Sequence, residues 1–201
     1  MNQEISHHQY LALDALATFF YQEIDLPKEK FELIRPLFEE EDVPKGSLLI
    51  RQEGYSKRIL FLRRGYVRCY FSNGKKEFTH WVYWKGHIIN DIPSFYNLRP
   101  SKWNFMTLSD CQFFAISQEN YQKINHIFPD WDSYEKRFII KFFSVLENRI
   151  STFLSMNSRE RYESLFEQHP QLFNRIPLVY IASMLGMAPE TLSRIRSKAI
   201  S

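Results

Sequence analysis

Cysteine is nearly absent: the 201 residues contain only Cys69 and Cys111. Two thiols cannot build an all-cysteine zinc or iron–sulfur site, and a secreted scaffold stapled by disulfides carries more. One disulfide is compatible with the pair, but two buried free thiols are the favoured reading. Long apolar runs are missing as well. Even R-F-I-I-K-F-F-S-V-L is broken by Lys141 and Ser144, far short of the eighteen or so uninterrupted apolar residues of a membrane helix. Catalytic signatures do not occur: there is no Gly-rich phosphate loop, G-x-S-x-G or H-E-x-x-H, so the chain is read as not an enzyme. The start M-N-Q-E-I-S-H-H-Q lacks the basic-then-apolar pattern of a signal peptide. A cytoplasmic protein with no membrane partner is expected.

Charge of one sign is not in excess either. The formal net charge is +3, which permits contact with nucleic acid without demanding it. The acidic run E-E-E-D, Glu39 to Asp42, reads as a solvated face. His80, His87 and His126 stand alone at spacings that ordinarily do not make a haem or metal set, so no metal is assigned. Hydrophobic residues make up 44% and aromatics 16% of the chain, enough for a packed core.

The few glycines are informative through their spacing. Gly46, Gly54, Gly65, Gly74 and Gly86 fall 8, 11, 9 and 12 residues apart, the turn spacing of short antiparallel strands in a sandwich or barrel. Between them lie the β-prone runs S-L-L-I, I-L-F-L, Y-V-R-C-Y-F and E-F-T-H-W-V-Y-W. S-N-G-K is a hairpin signal, because Asn and Gly tolerate positive φ. N-F-M-T-L and C-Q-F-F-A-I add two strands around Ser109-Asp110. Helices flank this region. Tyr10, Leu13, Leu16, Ala17 and Phe20 recur at helical spacing, a short helix runs from Pro27 to Arg35, and Ser117 caps another through Lys123.

Asp132 to Met156 contains no Pro or Gly and predicts one helix about 37 Å long. Ile139, Phe143, Leu146, Ile150 and Phe153 are spaced 4, 3, 4 and 3, a heptad seam, beside a second stripe of Phe138, Phe142 and Val145. Two stripes suit a helix with one face on its own domain and one on a second copy. A wide-faced core helix in a monomer is the other reading. About 45 residues of short helices follow, too few to hold much core unaided.

The last of these, I-A-S-M-L-G-M-A-P-E-T-L-S-R-I-R-S-K-A-I-S, fits a helix-turn-helix. Ile181 and Leu185 supply the apolar face, Ala182 the small crossing position, and Gly186 with Met187 the turn. Pro189 suits the first helical position, and Leu192 and Ile195 face inward. That leaves Glu190, Thr191, Arg194 and Lys198 outward, with Arg196 and Ser197 nearer the edge. Arg194 suits guanine and Glu190 a cytosine amino group, while Lys198 suits phosphate. An ordinary solvated helix face is the plainer alternative.

Spaced glycines, a long helix and a terminal helix-turn-helix, in that order, resemble the Crp/Fnr family of bacterial transcription regulators. V-P-K-G-S-L-L-I-R-Q-E-G is similar to the family's first barrel strands and I-L-F-L-R-R-G-Y-V-R-C-Y to its next hairpin; the ending resembles a branch without a β-wing. The resemblance implies an α+β fold: an antiparallel double-stranded β-helix (jelly-roll) barrel with flanking helices over residues 1–130, a dimerisation helix over 131–156, and an all-helical DNA-binding domain over 157–201. It further implies a homodimer through the long helix, bound to double-stranded DNA at a two-fold operator, with RNA polymerase as a further candidate partner. The carry-over is uneven. Pro189 replaces an arginine common before the glutamate, and Ala188 replaces the usual N-cap serine at a cost of about 1 kcal/mol. In the phosphate-binding cassette, Asn90-Asp91 stands for Gly-Glu and Pro100-Ser101 for Arg-Ser, with Arg99 only adjacent. Tight cyclic AMP binding is therefore not expected, and no cofactor is assigned. Some of Trp81, Trp84, Tyr96 and Trp103 are candidates to line a remaining cavity, though strand aromatics are more often plain core. Fnr-type oxygen sensing needs cysteines this chain lacks. The competing function is a β-barrel interaction or ligand-binding module whose last helices serve oligomerisation.

Overall fold

The structure, a computed structural model, describes residues 7–200, with side chains from 15 to 198. Among these, eight strands form two four-stranded antiparallel sheets. One sheet runs in the order β1 (Glu39–Val43), β8 (Cys111–Ser117), β3 (Arg58–Arg64), β6 (Ile88–Ile89). The other runs β2 (Leu48–Ile50), β7 (Asn104–Thr107), β4 (Val67–Ser72), β5 (Glu77–Tyr83). This double Greek-key order is a jelly roll. Alternation along the paired strands explains why β3 and β8 read as continuous apolar runs. Leu60, Leu62, Phe113 and Ala115 point into the barrel, where they meet Val67, Cys69, Ile89 and Phe105. Their neighbours Phe61, Phe114 and Ile116 point outward under a helical cover, so both faces are buried.

That cover comes from the flanks. α1 (His7–Ile24) lays Leu16, Phe20 and Ile24 on the barrel; α2 (Lys28–Ile34) adds Phe31 and Ile34; α4 (Gln118–Ile127) adds Ile124. Tyr10 and Leu13, read as part of the first stripe, have side chains outside the described residues. Ser117 caps α4 through Asn120 N at 3.1 Å, and the helix runs four residues beyond the expected Lys123. The acidic run is a solvated face, with Glu39, Glu40 and Asp42 exposed, and it is also a strand. Glu39–Val43 is edge strand β1, paired with β8, and its charges meet Arg63 (Glu40, 2.5 Å) and Arg58 (Glu41, 2.6 Å). Both cysteines are free and buried.

α5 (Trp131–Ser155) is the long helix. Its start is anchored by Trp131 in the helical cover, and Phe138 packs on Phe19 with ring centroids 6.0 Å apart. Farther along, Ile139, Phe143, Val145, Ile150 and Leu154 are exposed, Phe143 at 66% and Leu154 at 83%.

Four short helices follow. α6 (Ser158–Gln168) starts in a capping box, with Asn157 Oδ1 accepting from Glu160 N (3.2 Å) and Glu160 Oε2 from Asn157 N (2.7 Å). α7 (Leu172–Arg175) occupies one turn between Pro170 and Pro177. Then come α8 (Leu178–Met184) and α9 (Pro189–Ile200). These helices do lean on the barrel: Val82 of β5 is buried in one cluster with Tyr162, Phe173, Ile181, Ala182, Met184 and Leu192. Burying such a side chain is worth about 1.5–3 kcal/mol, support that so small a helical unit needs.

Candidate nucleic-acid interface

The α8–α9 corner is built from its C-cap outward. Met187 N donates to Ala182 O (3.0 Å) and Gly186 N to Ser183 O (3.0 Å), the paired bonds of a Schellman motif. The motif needs a left-handed residue after the cap, and Gly186 has φ +65°. A Cβ there would also lie 2.8 Å from Phe153 Cε1, so any side chain at this position forces the Phe153 ring of α5 to shift. Ala182 is fully buried, which lets α9 cross over α8, and Leu192 is fully buried beneath it. Ile195 packs against the same cluster. Of the five positions read as scaffold, Ala182, Leu192 and Ile195 pack in one cluster and Gly186 makes the turn, while Pro189 opens α9 and is exposed.

On the far side of α9, Glu190, Arg194, Ser197 and Lys198 are exposed, and so is Ser193, which the sequence reading did not single out. Thr191 and Arg196 are half-buried at the edges of this face. The outward set carries two basic groups beside one acid, on a helix whose first turn is unobstructed by its own scaffold. Such a surface can donate to base edges and phosphates.

α8 is also tied to the barrel. Thr79 N of β5 donates to Ser183 Oγ at 2.8 Å, and the Arg68 guanidinium lies 3.9 Å from the Tyr180 ring centroid. Two further arginines reach the C-terminal carbonyls of α8. Arg149 of α5 donates from Nη2 to Met184 O (3.1 Å) and to His80 O of β5 (2.7 Å); Arg161 of α6 donates from Nε to Leu185 O (2.9 Å). Both guanidinium groups lie over the Phe153 ring, 5.3 and 5.1 Å from its centroid. Nothing in the sequence marked these arginines, because each acts through long-range contacts with backbone carbonyls. Phe153, read as the last member of the α5 seam, is thus engaged within its own chain although 38% exposed.

The cassette folds onto itself. Asp91 is buried and caps the short helix α3 (Ile92–Asn97), accepting from Ser94 N at 3.3 Å and from Ser101 Oγ at 2.6 Å. Asn90 Oδ1 accepts from Ser56 Oγ (3.0 Å), and Ser56 N donates to Ser94 Oγ (2.8 Å). Ser101 is further fixed by backbone bonds to Glu53 and Gly54. Arg99 is exposed at the surface. The groups that stand where a phosphate cradle would be are spent on one another, and a carboxylate occupies the helix N-terminus. Of the cavity candidates, Trp81 and Tyr96 line a cleft along α5. Trp103 instead stacks on His80, and Trp84 sits between His87 and His169. Burial first, then Arg149, lowers the pKa of His80.

No protein-family model matches the sequence, and no curated protein matches it. Solved structures do. CLP of Xanthomonas campestris, a c-di-GMP responsive global regulator, is 13% identical, with a TM-score of 0.67 over 86% of this chain and 91% of that one. A protein of Eubacterium rectale assigned to the crp/fnr family is 18% identical at 0.64, covering 85% and 82%. The catabolite activator protein of Thermus thermophilus is 18% identical at 0.54, covering 89% and 85%. No helix among the described residues is long and apolar enough to cross a membrane. The chain has the Crp/Fnr-like fold: a cyclic-nucleotide-binding-like jelly roll followed by a long helix and a helical C-terminus.

Proposed function

We propose that this chain is a sequence-specific DNA-binding transcription regulator of the Crp/Fnr type, acting as a homodimer and not switched by cyclic AMP. The observation that carries the reading is the α8–α9 corner, where a Schellman glycine and a buried alanine hold α9 with Glu190, Arg194 and Lys198 outward. α9 enters the major groove; Arg194 reads a guanine, Glu190 a cytosine amino group, and Lys198 meets phosphate. Thr191, Arg196 and Ser197 border the contact. The exposed apolar face of α5, with Ile139, Phe143 and Ile150, is the surface that pairs two chains through Leu146 at its centre. RNA polymerase is a candidate partner of the bound dimer. The Asp91 carboxylate at the start of α3 argues against a cyclic phosphate in the cassette, because it is an anion already bonded to Ser94 N and Ser101 Oγ.

The test is selection of duplexes from a random pool followed by salt-dependent binding to the winners. A regulator enriches a two-fold site, with affinity falling as salt rises through release of phosphate counterions. The competing module, with helices serving oligomerisation alone, enriches nothing.

A further inference from the structure

Strand register gathers one basic surface from three separate stretches of chain. β4 ends at Ser72 and β5 begins at Glu77, joined by the turn Asn73-Gly74-Lys75-Lys76. Asn73 Oδ1 accepts from Lys75 N (3.1 Å) and Lys76 N (2.8 Å), which fixes the turn from within. The residues after β2 are clamped to the same end: Gln52 Nε2 donates to Ser72 O and Ser72 N to Gln52 Oε1, each at 3.0 Å. β7 enters beside them, with Asn104 opposite Tyr70 and its Oδ1 accepting from Gln52 N at 3.0 Å. Arg51, Lys75, Lys76 and Lys102 therefore share one end of this sheet. All are exposed, and none forms an ion pair among the described residues. Of the two carboxylates in these stretches, Glu77 is held by Arg68 at 2.6 Å, which leaves Glu53. Four cations less one carboxylate is +3, as much as the formal net charge of the whole chain.

This end of the barrel lies against the helix-turn-helix. Arg68 is buried, donates to Glu77 Oε2 (2.6 Å) and Thr79 Oγ1 (2.9 Å), and faces the Tyr180 ring of α8 at 3.9 Å. Thr79 N donates to Ser183 of the same helix. The first turn of α8 is thus seated on the base of the β4–β5 hairpin, and Lys76 directly precedes Glu77 at that base. Val179, next to Tyr180, is 50% exposed, so this turn is open on its other side. When a helix-turn-helix docks, its first helix crosses the DNA backbone while the second enters the major groove. A backbone crossing the first turn of α8 passes beside the hairpin. A lysine ammonium meets a phosphate as a point charge and carries no base preference.

We propose that the β4–β5 hairpin is a second DNA-contacting element, whose Lys75 and Lys76 hold the phosphate backbone beside the segment read by α9. Arg51 and Lys102 lie farther along the same end and extend the track. The placement rests on the reading of α8 and α9 as the DNA-binding pair. What the hairpin adds is affinity that is independent of sequence, supplied from the barrel itself. Its position against α8 favours DNA over an acidic protein as the partner.

The test measures binding of the full chain to two labelled duplexes, one enriched by selection and one of random sequence, from about 50 to 200 mM salt. Lys75→Gln with Lys76→Gln should weaken both duplexes by the same factor and leave the selected sequence unchanged. The slope of log affinity against log salt should become shallower by about 0.9 for each lysine that meets a phosphate. Across that salt range the advantage of wild type should shrink about threefold per lysine. Lys75→Arg with Lys76→Arg should restore the slope. Lys28→Gln with Lys45→Gln removes the same charge from exposed sites elsewhere and should leave the slope as in wild type. Neither hairpin lysine has a side-chain partner among the described residues, so the Gln variant should keep the wild-type Tm. An unchanged slope in that variant overturns the proposal and leaves the lysines to an acidic protein. Equal losses in the Lys28 and Lys45 control overturn it too, by reducing the effect to net charge. If wild type selects no sequence but binds the random duplex through Lys75 and Lys76, the base-reading role of α9 falls and the hairpin contact stands. If wild type binds neither duplex at low salt, both fall.

Discussion

Replacing Gly186 with alanine should destabilise the chain through two separable effects. The first is conformational: an L-residue held at φ +65° pays about 1–2 kcal/mol that glycine does not. The second is steric. The new Cβ would lie 2.8 Å from Phe153 Cε1, and that ring is held between the guanidinium groups of Arg149 and Arg161. Displacing a packed ring costs about 1–3 kcal/mol. The sum is roughly 2–5 kcal/mol, a fall in Tm of at least about 4 °C for a chain of this size. Urea denaturation of Gly186→Ala, Phe153→Ala and the double variant separates the two. With Phe153 truncated, only the conformational part should remain, so the alanine should cost less there by the steric part, about 1–3 kcal/mol. In the Phe153→Ala background, where the steric part is removed, Gly186→Asn should cost less than Gly186→Ala, because Asn tolerates the left-handed region. A Gly186→Ala protein within about 0.5 kcal/mol of wild type would refute the reasoning. So would an equal cost in both backgrounds.

Arg194→Ala should relax selection at one position per half-site by about 1–3 kcal/mol, read by sequencing the selected duplexes; an unchanged selected sequence would remove Arg194 from base reading. Leu146→Glu with Ile150→Glu should give monomers in sedimentation, since two charges would enter a seam whose other members are apolar; surviving dimers would place the interface elsewhere. Titration of cyclic AMP into the wild-type chain should give no saturable heat at micromolar concentration, because Asp91 already caps α3 and holds Ser101. Tight binding would mean the cassette rearranges.

The barrel strands were legible because a glycine-punctuated, β-prone sequence leaves few other options, and the α8–α9 corner because each of its constraints is local. β1 was not legible: an acidic run has poor strand propensity, and it pairs only because β8 and two arginines lie opposite. α7 escaped notice as a single turn between two prolines. The docking of α8 on β5 depends on Thr79 meeting Ser183, more than a hundred residues apart, and no local pattern reports such a contact. In the same way the substitutions in the cassette were visible, but not that Asp91 and Ser101 would satisfy each other. Heptad spacing reports only part of what Phe153 does: besides its place on the seam, its ring packs beside Gly186 of its own chain.

The central claim is that α9 reads DNA from a dimer. Selection of duplexes from a random pool with the full chain tests it most directly. Two inverted half-sites about 10 base pairs apart, centre to centre, should be enriched, and binding to them should weaken steeply as salt rises. A pool that stays random through selection, or binding indifferent to salt, would contradict it.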